Sequence, residues 1–153
     1  MKRDSRLSMV LHALLHMAEH EGPVSSEVLA KCMSTNPVVV RRTMGLLREA
    51  GLVRATRGAA GGWEMAVPLG SVTLKALHEA LGEPTVFAIG NKSEAPGCLV
   101  EQSVNAVMDE AFAAAEALLL ERFAAVTLAD LAAEFGARFE AHRTGGTAGI
   151  SRG

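Results

Sequence analysis

Apolar residues recur at Leu7, Val10, Leu11, Leu14 and Ala18, the i, i+3, i+4, i+7 spacing of one helical face, and predict a first helix over Arg6 to Glu19. Glu21-Gly22-Pro23 ends it, because glycine relaxes the chain and proline cannot continue the hydrogen-bond ladder. Val24-Ser25-Ser26-Glu27 opens a second helix of about two turns, with Ser25 as N-cap and Val28, Leu29 and Cys32 or Met33 facing inward. Ser34-Thr35-Asn36-Pro37 interrupts the pattern and restarts it, since Asn36 can cap while Pro37 sits at the first helical position, where a missing N–H costs nothing. The third helix runs from about Pro37 to Ala50 and stops at Gly51. A short helix, a tight break and a longer helix ending in glycine is helix-turn-helix spacing.

Beyond Gly51 the period changes. Leu52-Val53-Arg54-Ala55 and Trp63-Glu64-Met65-Ala66 alternate weakly and flank Arg57-Gly58-Ala59-Ala60-Gly61-Gly62, so residues 52–66 read as a β-hairpin wing. Pro68 to Ser71 is a turn, Lys75 to Leu81 a short helix ending at Gly82, and Glu83 to Gly97 a loop. From Leu99 to Phe123 helical periodicity returns, with Val100, Val104, Val107, Ala111, Ala115 and Leu118 on one seam. At 1.5 Å per residue this helix is about 37 Å long, more than a small head needs for its own core. Its alanine-rich seam predicts a twin helix from a second copy. A last helix spans Val126 to His142, capped by Thr127 and packing back through Leu128, Leu131 and Phe135. The predicted fold is mostly α with a small β-hairpin: a winged helix-turn-helix head over residues 1–82, a linker loop over 83–98, a helical dimerisation region over 99–142 and a disordered tail over 143–153.

Charge sharpens this division. The formal net charge is −2 over 153 residues, which by itself argues against a nucleic-acid binder. From Met1 to Ala66, however, nine basic residues face six acidic ones, whereas from Val67 onward six basic face eleven acidic. A basic front half joined to an acidic back half assigns the front to phosphate. No apolar run long enough to span a bilayer and no signal-peptide block occurs, so a cytoplasmic protein without a membrane partner is expected. The two cysteines, Cys32 and Cys98, are expected as thiols. No nucleophile elbow, acid-base pairing or phosphate-binding loop is present, and an enzyme is not expected.

The stretch N-P-V-V-V-R-R-T-M-G-L-L-R-E-A-G-L-V, then R-G-A-A-G-G-W, then V-T-L-K-A-L and C-L-V at the start of the long helix, resembles the Rrf-two family of bacterial winged-helix transcription regulators, over about Met1 to Phe139. Trp63 stands where tyrosine is commoner. The resemblance implies a homodimer paired through the long helix, binding a palindromic operator in double-stranded DNA. It implies a recognition helix over 36–50 whose groove-facing start is Asn36 to Arg42, and a wing in which Arg57 enters the minor groove with Gly58 beside it. Val38 and Val39 stand where many relatives carry polar or aromatic groups, and an exposed valine can touch a thymine methyl. Cluster-binding relatives carry three closely spaced cysteines before the long helix. Here only Cys98 lies there, with Glu94 and Asn91 as poor substitutes, so the donor set argues against an iron-sulfur cluster, which needs about four ligands. No cofactor is expected.

Each of these readings has a plainer counterpart. Arg41 and Arg42 are expected at phosphate or base edges, with Ser25, Ser26, Lys2 and Arg3 at phosphates, while Arg48, near the far end, is expected to pair with a carboxylate or with the helix dipole. His12, His16 and His20 recur every four residues on the first helix; such spacing can hold a transition metal, but a solvated histidine-rich face is the stronger reading because no acid or thiol completes the set in sequence. Cys98, beside a helix start, is a candidate redox-sensing thiol or a small residue at a dimer contact. The expected function is a homodimeric DNA-binding transcription regulator, a repressor, binding through Ser25, Ser26, Asn36, Val38, Val39, Arg41, Arg42, Arg57 and Gly58. The alternatives are a dimeric winged-helix protein-interaction module without DNA binding, and a regulator gated by metal at the histidine stripe or by oxidation of Cys98.

Overall fold

Helix α1, Arg6–Glu19, turns Val10, Ala13, Leu14 and Met17 into the interior. In this computed structural model, which describes residues 5–84, 86 and 97–146, the buried stripe therefore passes through Ala13 and Met17, and Ala18, expected inward, is exposed. The helix also stops before His20, which is its C-cap with extended backbone. Helix α2, Ser26–Cys32, buries Leu29 and Ala30, with Met33 following them inward, while Val28 is 48% exposed. Val28 was expected inside. A seven-residue helix has one inward stripe, and Val28 lies about 100° around the axis from Leu29.

The turn between α2 and α3, Pro37–Glu49, is closed by its backbone. Ser34 adopts φ +52°, and the next amide, Thr35 N–H, reaches back to the Ala30 carbonyl at 2.9 Å. Helix α3 then buries Val40, Thr43, Met44 and Leu47. It ends in a Schellman arrangement, with Gly51 at φ +77° and Leu52 N–H donating to Leu47 O at 3.0 Å.

Strands β1, Val53–Thr56, and β2, Gly62–Met65, form an antiparallel pair in the register Val53↔Met65, Arg54↔Glu64, Ala55↔Trp63 and Thr56↔Gly62. A 3-10 turn at Leu69–Ser71 leads to α4, Leu74–Ala80, capped by the Thr73 side chain. Helix α5, Leu99–Ala125, has no buried residue. Helix α6, Leu128–Gly146, begins in a reciprocal cap: Thr127 N–H donates to Asp130 Oδ2 at 2.9 Å, and Asp130 N–H donates to Thr127 Oγ1 at 3.1 Å.

One core joins these elements apart from α5. Leu128 is fully buried in the same cluster as Val10, Leu14, Met44, Leu47 and Leu77, and the chain between α5 and α6 pairs with the segment before α4 through Leu74 N–H to Val126 O at 3.0 Å and Leu128 N–H to Val72 O at 2.9 Å. The start of α6 thus belongs to the head. Residues 143–146, expected in a disordered tail, continue α6, since a formed helix extends at the gain of one hydrogen bond per residue fixed and Arg143 in the last turn complements the C-terminal dipole. The remainder of the predicted tail, most of the predicted linker with Asn91 and Glu94, and Lys2 and Arg3 lie outside the described residues. Among the described residues no helix is long and apolar enough to cross a membrane.

Candidate nucleic-acid interface

The outward face of α3 carries Val38, Arg41, Arg42, Arg48 and Glu49, all exposed, at the three- and four-residue steps that leave the opposite face for the core. Asn36 fixes where this face begins: its Oδ1 accepts from Val39 N–H at 3.1 Å, satisfying one of the free donors of the first turn. Val38 is 60% exposed, a large apolar side chain left open among the described residues, and Val39 is half-buried. Gly45 lies mid-helix on the same outward stripe, and a Cβ added there would meet nothing within 4 Å. The head's own packing does not require glycine at that position, although glycine costs a helix roughly 1 kcal/mol relative to alanine.

The arginines differ in their surroundings. Arg41 Nη2 reaches Glu27 Oε1 across the helix-turn-helix at 3.4 Å, an exposed pair that holds the guanidinium over α2 and is easily exchanged for a phosphate. Arg42, Arg48 and Arg57 have no carboxylate partner among the described residues; for Arg48 the α3 C-terminal dipole is what remains. On the wing, Arg54 Nε pairs with Glu64 Oε1 at 2.9 Å directly across the two strands, so that cation is neutralised and Arg57 at the tip is left as the wing's free charge among the described residues. Neither pairing is legible beforehand, because both join residues ten or more apart in sequence.

The wing is built to hold its tip still. Gly58, beside Arg57, takes φ +105°, a conformation that penalises any Cβ, and its carbonyl accepts from Gly61 N–H at 3.0 Å. A Cβ at Gly61 would run into the Thr56 carbonyl, and one at Gly62 into the Val24 carbonyl. Val24 approaches so closely because it forms a bridge to Trp63, exchanging both backbone hydrogen bonds at 2.9 and 2.8 Å. Trp63 is buried, and its Nε1–H donates to Ser26 Oγ at 3.0 Å. Ser25 caps α2 by accepting from Val28 N–H at 3.3 Å. Both serines therefore have structural tasks: Ser25 starts α2, and Ser26 ties the wing to it while keeping its own O–H to donate.

Of the remaining candidates, Cys98 is the exposed N-cap of α5. The backbone N–H groups of Glu101 and Val100 favour its thiolate and lower its pKa below the ordinary thiol value. Cys32 is half-buried in α2. Two thiols on separate elements do not supply the roughly four ligands of an iron-sulfur cluster, and among the described residues no three His, Cys, Asp or Glu side chains gather as metal ligands. The residues present do not fit that group. His12 and His16 lie together on α1, and His20 leaves them at the helix end.

With this geometry in hand, the chain can be set beside known proteins. The family model described as Rrf2, iron-dependent transcriptional regulator, matches residues 3–134. The Bacillus subtilis (strain 168) protein YwnA, a proposed HTH-type transcriptional regulator, is 27% identical over 128 residues, covering 84% of this chain and 95% of that protein. Among solved structures, one of a proposed DNA-binding protein is 26% identical with a TM-score of 0.64, covering 83% of this chain and 98% of that one. A proposed transcriptional regulator from Lactobacillus plantarum gives a TM-score of 0.71 at 24% identity, covering 93% and 98%, a likeness of fold.

Proposed function

This chain belongs to the Rrf2 family of transcriptional regulators, and from that premise we propose that it binds double-stranded DNA as a homodimer on a palindromic operator. The observation that carries the reading is the outward stripe of α3, with Val38, Arg41 and Arg42 exposed along it, paired with a wing whose tip holds Arg57 beside the left-handed Gly58. In this reading two copies of α3 enter successive major grooves about 34 Å apart, and the Arg57 wings reach the flanking minor grooves. Asn36, Val38 and Val39 face base edges, Val38 meeting a thymine methyl, while Arg41, Arg42 and the Ser25–Ser26 start of α2 engage phosphates. The output is repression, since a dimer lying on promoter DNA excludes polymerase without any further contact. The protein works without an iron-sulfur cluster, for want of thiolates.

Fluorescence anisotropy with a random-sequence duplex tests the reading. The association expected at low salt weakens steeply as salt rises, because each phosphate contact releases counterions. Absence of salt-sensitive binding overturns it and leaves a head that docks on protein instead. Selection of bound genomic fragments then yields the operator, and a promoter fusion carrying it is expected to fall in output when the protein is supplied.

A further inference from the structure

The evenly spaced histidines of the first helix are separated by the fold into a pair and a single residue. His12 and His16 stack with ring centroids 4.8 Å apart and planes 23° apart, and each turns Nε2 on the Nε2 of the other at 3.0 Å. His20, beyond the end of α1, instead brings Nδ1 within 3.5 Å of the Gly22 carbonyl and lines a different groove with Met65 and Leu69. Two N–H groups cannot face one another, so at least one Nε2 presents its lone pair to the other. At this distance the two atoms are placed for an N–H···N hydrogen bond when no ion is present and, opened slightly, for one metal ion between two lone pairs.

The spacing suits the metal. Two imidazole nitrogens bound to one tetrahedral ion at about 2.0–2.1 Å lie roughly 3.3 Å apart, so the pair needs to open by only a few tenths of an ångström. It also stands in a cleft of about 290 Å³ lined by His12, Leu15, His16, Glu19 and Phe135. Glu19 is a carboxylate able to offset the ion's charge, and Leu15 with Phe135 of α6 forms an apolar wall. Every polar group lining the cleft is a lone-pair donor suited to a cation. Imidazole selects zinc, nickel or copper over magnesium or calcium. No third ligating side chain gathers with the pair among the described residues, so an ion held there would take its remaining ligands from water.

We propose that His12 and His16 bind one divalent transition-metal ion through their Nε2 atoms, in the cleft between α1 and Phe135 of α6. The site is independent of the DNA reading and is tested without DNA. Isothermal titration of the full chain, prepared without a histidine tag, with zinc chloride and nickel chloride is expected to give one ion per chain. Cobalt(II), used as a spectroscopic probe, is expected to develop visible d–d absorption. The double variant His12→Ala/His16→Ala should lose affinity by roughly tenfold or more, a lower bound set by what loss of outer-sphere groups alone costs, and should lose the cobalt band. His20→Ala should retain both. All three side chains are exposed, so circular dichroism of each variant should match the parent. No binding by the parent, equal binding by the double variant, or an equal loss in His20→Ala overturns the proposal.

Discussion

Arg57 and Gly62 separate binding from folding at the scale of single residues. Arg57 is exposed at the wing tip and contributes nothing visible to the core, so Arg57→Ala should leave the urea midpoint unchanged. It should weaken operator binding about tenfold and reduce the slope of log affinity against log salt by roughly one; an unchanged slope in the titration would remove the arginine from the interface. Gly62 behaves oppositely. A Cβ there collides with the Val24 carbonyl, and Gly62→Ala should lower stability by about 2–3 kcal/mol, read from the urea midpoint, because the wing must leave its bridge to Val24. Cys98 supplies the pH dependence. Its folded pKa is lowered by the Glu101 and Val100 amides, so thiolate persists to lower pH in the folded protein than in the unfolded chain. The folded state's preference is present above the unfolded pKa and is lost as pH falls through the folded one. Iodoacetamide labelling of Cys98 should therefore reach half its maximal rate at lower pH in native buffer than in denaturant, and a coincident midpoint would deny the amides their effect.

Among elements, helix existence and the caps Ser25, Asn36 and Thr127 were legible in the sequence because they rest on local chemistry, each offering a side-chain oxygen to a first-turn amide; Thr73 does the same for α4 and was not singled out. Helix faces were less legible. Ala18 and Val28 fit an apolar stripe by spacing, yet which of two neighbouring stripes faces inward depends on what packs against it, and Ala13, Met17 and Ala30 took those places. Likewise the wing was visible from its glycines, but its anchorage through Val24, Trp63 and Ser26 spans 37 residues and leaves no local trace. Ser26→Ala should expose that anchorage: it strands a part-buried indole N–H, at a cost of about 1–3 kcal/mol in the urea midpoint, while Trp63→Phe in the same background should recover part of the loss. Gly45 did leave a trace, as a glycine inside a helical pattern. Its outward position with open space before it means that Gly45→Ala should raise stability by about 0.5–1 kcal/mol and yet weaken operator binding if α3 lies against the duplex.

For the whole molecule the decisive feature is α5, 27 residues without one buried side chain. Leu99, Val100, Val104, Val107 and Leu118 are each more than half exposed, on a helix about 40 Å long at 1.5 Å per residue. Among the described residues an apolar stripe of that length finds no cover in the head, whose core reaches only to Leu128 beyond it. A second α5 laid alongside would bury it, and the alanines at 111 and 115 would let the two backbones approach closely. The acidic back half and basic front half fit the same arrangement, because pairing through α5 leaves both heads free for a polyanion. Replacing Val104 and Val107 with glutamate tests this directly. Each dimer would then carry four carboxylates in place of apolar contacts worth about 1.5 kcal/mol or more apiece, a loss of roughly 6 kcal/mol or four orders of magnitude in dissociation constant. Sedimentation velocity should show the parent as a dimer and the variant as a monomer of unchanged helicity, with operator affinity falling as the two half-sites are no longer held together. A variant that stays dimeric would move the interface off α5, and a monomeric variant with full operator affinity would show that one head suffices.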